Sequence, residues 1–167
     1  MLNHRDKIMT WRQAKARVAA CQEAEQKVVF TNGCFDFLHL GHLRYLTDAR
    51  NLGDFLVIGL NSDRSTREIK GPTRPIMPED QRAEILAGLN VVDAVVIFDE
   101  PDPLELITFL LPDVLVKGGD WPLDKIIGRE VVEQNGGTVL TIPLTPEVST
   151  SAIINRILEL NRADSKE

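Results

Sequence analysis

The chain is short of the residues that build disulfide frameworks and metal cages: among 167 residues there are two cysteines, Cys21 and Cys34, and three histidines. The cysteines form no Cys-x-x-Cys pair, so neither a disulfide scaffold nor a zinc knuckle is encoded. Basic residues never run in blocks of five or six, and 19 Lys+Arg stand against 25 Asp+Glu, a net charge of −6. That sign and patterning disfavour general binding to nucleic acid or to membrane surfaces, because both are polyanions. No window approaches the roughly 20 continuous apolar residues of a membrane-spanning helix. Nothing near Met1 has the charged-then-apolar plan of a signal peptide, so a cytoplasmic location is expected. No two of the eleven glycines lie two apart and no Gly-Lys-Ser or Gly-Lys-Thr occurs, which excludes the dinucleotide fingerprint and the P-loop.

What is present is an ordinary globular composition, 43% hydrophobic and 26% charged. Short apolar β-prone runs alternate with helical stretches. The strands are expected at Val28–Thr31, Phe55–Leu60, Ala94–Phe98, Val114–Val116 and Thr138–Ile142. The helices are expected at Thr10–Glu25, Gly41–Leu52, Pro78–Leu89, Pro103–Leu111, Arg129–Gln134 and Ser151–Leu160. Thr10 and Gln13 have capping-box spacing. The alternation predicts an α/β fold, a Rossmann-like parallel sheet of about five strands with helices on both faces. A single domain is expected over residues 27–161. A loose polar leader and a helix precede it in 1–26, and a tail follows in 162–167. Ligands of such sheets bind beyond the carboxyl ends of the strands, so functional residues are sought just past each one.

After the first strand stands Thr31-Asn32-Gly33-Cys34-Phe35-Asp36-Phe37-Leu38-His39-Leu40-Gly41-His42, which places two of the three histidines in one His-x-Gly-His tetrad. Gly41 leaves the start of the following helix bare, so free N–H groups and two imidazoles face one spot. That arrangement suits a phosphate: charge spreads over its oxygens in a group transfer, and fixed donors stabilise it. The alternative reading is a pair of packing histidines, which the intervening glycine and the preceding strand disfavour. A second cluster, Lys70-Gly71-Pro72-Thr73-Arg74-Pro75 with Arg82 beyond it, offers separated cations able to hold phosphate oxygens. Taken alone, Lys70 and Arg74 read more often as solvated loop charges, and their position after a strand end brings the two readings level. Past the fourth strand, Lys117-Gly118-Gly119-Asp120-Trp121 combines a cation, close backbone approach, and side chains able to meet ribose or base. Past the fifth, Ser149-Thr150-Ser151 opens the last helix with three hydroxyls, as an N-cap and as phosphate donors.

Taken in order, these segments, with Asn61-Ser62-Asp63, resemble the HxGH nucleotidylyltransferase superfamily in its cytidylyltransferase-like branch. Within it they are most similar to the adenylyltransferases that act on a heptose 1-phosphate. The resemblance covers about Val28 to Leu158. It implies a magnesium-dependent attack of a sugar phosphate on ATP, with pyrophosphate released. His39, His42, Lys70 and Arg82 would be catalytic, and Asp36, Asn61, Asp63 and Arg74 would bind the sugar phosphate. Thr31, Asn32, Gly33, Cys34, Phe35, Gly41, Lys117, Gly118, Asp120, Trp121, Ser149, Thr150 and Ser151 would hold the nucleotide. No metal ligand set is named. The expected partners are ATP and the sugar 1-phosphate, a heptose kinase on a separate chain, and a second copy in a homodimer. The sequence departs from related cytidylyltransferases at Leu144-Thr145-Pro146-Glu147, where they carry Arg-Thr-x-Gly. A cytidylyltransferase for glycerol 3-phosphate and a non-catalytic nucleotide-binding module remain as alternatives.

Overall fold

Val28, Val29, Phe30 and Thr31 are all buried, which requires cover on both faces of strand β1 (Val28–Gly33). In the computed structural model, which describes residues 3–119, 122–146 and 148–164, that cover is a layer of helices on each face of a parallel sheet. Strands β2 (Phe55–Asn61), β3 (Ala94–Phe98), β4 (Val114–Gly118) and β5 (Thr138–Ile142) join β1 in the order β3-β2-β1-β4-β5. Every neighbouring pair is parallel, so the fold is the α/β, Rossmann-like one the alternation predicts.

Side-chain alternation along the strands divides the core in two. Val28 and Phe30 face helices α1 (Trp11–Glu23), α5 (Leu104–Leu110) and α6 (Arg129–Gln134), meeting Val18, Leu110 and Val132. Val29, Leu56 and Ile58 face α2 (Leu40–Arg50) and α4 (Glu79–Ala87), meeting Leu46, Ala49 and Leu86. Each fully buried Leu, Val or Phe stabilises the fold by about 1.5–3 kcal/mol, so both layers are held firmly. The expected capping box at α1 is present: Thr10 Oγ1 accepts from the Gln13 amide and Gln13 Oε1 accepts from the Thr10 amide.

Two segments differ from expectation. Residues 63–70, where no helix is expected from the sequence, form helix α3 (Asp63–Lys70). Their sequence lacks an apolar stripe, and the helix is started instead by Ser62, whose hydroxyl accepts from the Ser65 amide. Lys70 is thus the last residue of a helix, not part of a loop. The leader, expected to be loose, is tied down: Ile8 bridges Val95 in parallel, the Met9 amide donates to Val95 O, and Trp11 Nε1 donates to Ile97 O. It covers the outer edge of β3, where unpaired backbone would otherwise face solvent.

The strand order reverses between β1 and β4, the position where open α/β sheets leave a crevice. The final helix, α7 (Thr150–Asp164), starts beside that crevice. Among the described residues no helix is long and apolar enough to cross a membrane.

Candidate active site

From Gly33 the chain turns through Cys34–Leu38 into α2, with Phe35 at φ 44 and Phe37 at φ 62. Left-handed backbone is costly for a side chain with a Cβ and persists only where the surroundings impose it. Here Phe35 is buried, with its ring 5.4 Å from that of His42. The loop delivers His39 to the N-cap of α2, and His42 follows within its first turn. Their imidazoles stack with centroids 3.8 Å apart and planes inclined by 25°. Gly41 makes the stack possible, because a Cβ there would lie 3.0 Å from Cε1 and Nδ1 of His39.

Burial, reinforced by His39, lowers the pKa of His42 from its ordinary value to about 4. Burial also lowers that of His39. Both rings are therefore neutral at pH 7. The His39 amide donates to His42 Nδ1 at 3.4 Å, which assigns the His42 proton to Nε2 and makes that nitrogen a hydrogen-bond donor. His39 Nδ1 is buried against the start of α2 and has no hydrogen-bond partner among the described residues.

The two rings border a cleft of about 430 Å³, within the ~300–1,000 Å³ typical of small-molecule sites. Asn32, Gly33, Cys34, Phe35 and Asp36 line it from the end of β1, and Gly41 from α2. Lys70 and Arg74 come from the segment after β2, Lys117 and Gly118 from the end of β4, and Ser149, Thr150 and Ser151 from the start of α7. Four expected clusters, far apart in sequence, thus meet at one place. Lys117 Nζ donates to Asn32 Oδ1 at 2.5 Å, which holds the ammonium between the strand ends.

Several residues stand elsewhere than the expected roles require. Arg82 does not border the cleft: it is 1% exposed, and its guanidinium donates to Met77 O, Cys34 O, Asn61 O and Asp63 Oδ1. It knots the ends of β1 and β2 from behind and holds no group toward a ligand. Asn61 and Asp63 belong to that knot, and Asn61 Nδ2 also donates to Ser65 Oγ. Thr31 is buried beneath the cleft against Tyr45. Asp36 lines the cleft, but its carboxylate is committed, accepting from Arg74 Nε at 2.7 Å and from the Ile76 and Met77 amides at 2.8 and 3.0 Å. Burial opposes its ionisation, yet those amides and the guanidinium outweigh it and hold the carboxyl below its ordinary range. Its carbonyl accepts from Thr150 Oγ1, so three walls of the cleft meet at Asp36. Asp120 and Trp121 lie outside the described residues, as does Glu147.

Leu144, Thr145 and Val148, at and beside the segment where the sequence departs from related cytidylyltransferases, also line the cleft, and so does Tyr45, which sequence reasoning missed. Tyr45 sits three residues after His42 and so shares its helix face, the one signal that pointed to it. For a divalent ion the fit is poor: among the described residues no three His, Cys, Asp or Glu side chains converge. Among the described residues the one carboxylate lining the cleft, that of Asp36, is already bonded. The described side chains build no Mg2+ cage.

At the switch point of the parallel sheet the cleft gathers a neutral histidine pair, two helix N-termini and converging cations, an arrangement suited to nucleotidyl transfer. Residues 30–156 match the family model described as Cytidylyltransferase-like, and the chain belongs to that family. It is 58% identical over 132 residues to "Bifunctional protein HldE" of Syntrophotalea carbinolica, covering 79% of this chain and 27% of that protein. The HldE of Geobacter sulfurreducens is 54% identical over 145 residues, 86% of this chain and 30% of that one. The chain thus spans about a third or less of the length of these curated relatives. A crystal structure described as the lipopolysaccharide core biosynthesis protein from Thermoplasma volcanium is 32% identical, with TM-score 0.59, covering 72% of this chain and 97% of that one. Pantoate-beta-alanine ligase from Francisella tularensis, at 15% identity and TM-score 0.61 over 84% of this chain and 67% of that one, shares the fold.

Proposed function

We propose that the chain transfers AMP from ATP to a sugar 1-phosphate, D-glycero-β-D-manno-heptose 1-phosphate, giving ADP-heptose and pyrophosphate. The observation that carries this reading is the stacked neutral pair His39 and His42 at the N-terminus of α2, with the unpartnered His39 Nδ1 beside a cleft that also presents Lys70, Arg74 and Lys117. The similarity to a lipopolysaccharide core biosynthesis protein supports use of the product in surface-polysaccharide synthesis, and the sugar follows from the resemblance of the ordered motifs. Mg2+ enters with ATP.

A sugar-phosphate oxygen attacks the α-phosphorus of ATP, forming the new P–O bond as the bond to the β-phosphate oxygen breaks. Pyrophosphate takes the bonding pair. His42 Nε2–H donates to an α-phosphate oxygen as charge builds there, and the amides of the first turn of α2 add to it. Neutral imidazoles at pH 7 act here as fixed donors, not as acids that surrender protons. Lys70, Arg74 and Lys117 offset the phosphate charge, and Ser149, Thr150 and Ser151 hold the leaving group at the start of α7. A kinase acting on heptose must supply the 1-phosphate.

The test is pyrophosphate release with ATP, Mg2+ and D-glycero-β-D-manno-heptose 1-phosphate. Release with this pair supports the reading. Release only with CTP and glycerol 3-phosphate replaces it with a cytidylyltransferase, and no release with either pair leaves a nucleotide-binding module.

A further inference from the structure

β1 and β4 pair at Val29–Val114 and Phe30–Leu115, and their ladder ends there, although β1 stays with β2 as far as Gly33 and β4 stays with β5 as far as Gly118. The two central strands therefore part at Thr31 and Val116 and open the crevice as a wedge. At that rung the hydroxyl of Tyr45 lies between the strands. It shares a 2.7 Å hydrogen bond with Thr31 Oγ1 and donates to Val116 O at 3.3 Å. One rung further, Lys117 Nζ donates to Asn32 Oδ1. Because alternate residues of a strand face opposite sides, Tyr45 spans the gap on the α2 side of the sheet and Lys117 spans it on the other. Side-chain bridges thus replace the backbone ladder where it stops.

We infer that Tyr45 is a positioning residue that sets the width of the nucleotide wedge, acting through Thr31 and Val116. This rests on the reading above only in that the cleft receives a nucleotide. The hydroxyl satisfies Val116 O, which otherwise loses its ladder partner at the base of the cleft, and fixes how far β4, with Lys117 and Gly118, stands from β1. Tyr45 also shares a face of α2 with His42, so one helix sets both the donor and the floor beneath it. A hydroxyl that fixes the separation of two walls acts on how well a ligand fits between them, and so on affinity before turnover.

The experiment compares the full chain with Tyr45→Phe, Thr31→Val, Thr31→Ser and the double variant Tyr45→Phe/Thr31→Val. Calorimetric titration with ATP and with CTP, in Mg2+ and without sugar phosphate, gives Kd. Pyrophosphate release gives kcat and KM, and melting reports the fold. Tyr45→Phe is expected to raise Kd and nucleotide KM about five- to tenfold while kcat changes less than about threefold, the scale of one lost hydrogen bond. Thr31→Val should weaken binding in the same direction, Thr31→Ser should restore it, and the double variant should be no worse than Tyr45→Phe. A Kd within twofold of the parent in a folded Tyr45→Phe overturns the proposal. If that variant does not fold, equal Kd values for Thr31→Val and Thr31→Ser overturn it. ATP binding without turnover of heptose 1-phosphate removes the sugar assignment and leaves the Kd comparison to decide on Tyr45. Binding of neither nucleotide removes both.

Discussion

The backbone amide of His39 donates to Nδ1 of His42, the second imidazole of a stack whose centroids are 3.8 Å apart. One residue's main chain thereby fixes which nitrogen of the other carries its proton. Replacing His42 by Ala removes the Nε2 donor and leaves the sheet intact. Turnover in pyrophosphate release should fall by about 10²–10³, the usual cost of one preorganised donor, with melting changed by only a few degrees. Unaltered kcat would take His42 out of the mechanism.

The same ring makes stability depend on pH. Unfolded His42 takes up a proton below its ordinary value of 6.5, whereas folded His42 does so only near 4. Between those values the unfolded state binds more protons, so stability is fully present above pH 6.5 and is lost as the pH falls toward 4. His39, also lowered, adds to the slope. Denaturant titrations from pH 7 to pH 4 should show this decline, and His42→Gln should make it shallower. Superimposable slopes for the two proteins would contradict the burial of His42.

Gly41→Ala separates stability from activity. Alanine favours the first turn of α2 by up to about 1 kcal/mol over glycine, so melting should hold or rise. The new Cβ, 3.0 Å from the His39 ring, must displace that imidazole, and kcat should drop about tenfold or more. A faster-melting, fully active variant would invert both expectations.

Asp36→Asn tests the hub that joins the walls of the cleft. The amide cannot match a carboxylate that takes one guanidinium and two backbone amides. The loss should be about 1–3 kcal/mol of stability, with a raised KM for the sugar phosphate as Arg74 is freed. Because the parent carboxyl is held below its ordinary range, its contribution to stability persists above about pH 4 and fades below it. The variant's deficit should shrink at that acid end. A constant deficit would point away from charge.

Arg82→Ala should act on folding first. It strands Asp63 and the carbonyls of Cys34, Asn61 and Met77 in or near the interior, a loss of about 3–5 kcal/mol by the measure of broken buried ion pairs. The observable is a lowered denaturation midpoint, with kcat per folded molecule much less affected than in His42→Ala. Unchanged stability with abolished turnover would return Arg82 to a direct role on phosphate.

The strands were legible because a parallel strand covered on both faces must be apolar throughout, and Phe55-Leu56-Val57-Ile58 has no other economical reading. The tetrad was legible because its glycine and histidines follow such a strand directly. Helix α3 was hidden because Asp-Arg-Ser-Thr-Arg-Glu-Ile-Lys carries no apolar stripe and buries Ser65 and Thr66 instead; a serine cap and the pairing of Arg64 with Asp99 and Glu68 support it. Arg82 showed its charge but not its depth, since burial follows from which carbonyls the fold gathers around it. Tyr45 looked like any helical aromatic. Its meaning lies in the parting of two strands, which only the assembled sheet reveals.

Thr150 Oγ1 reaches back across 114 residues of sequence to the carbonyl of Asp36. As the chain leaves a ribosome, the histidine pair and its loop emerge well before the wall that closes their cleft. Nucleotide affinity should therefore appear late and abruptly in a series of nascent chains of increasing length, well after the sheet has begun to protect its amides. In this fold the cleft is closed only once Thr150 has been made, and a chain stopped short of it would hold the two stacked imidazoles without the wall that faces them.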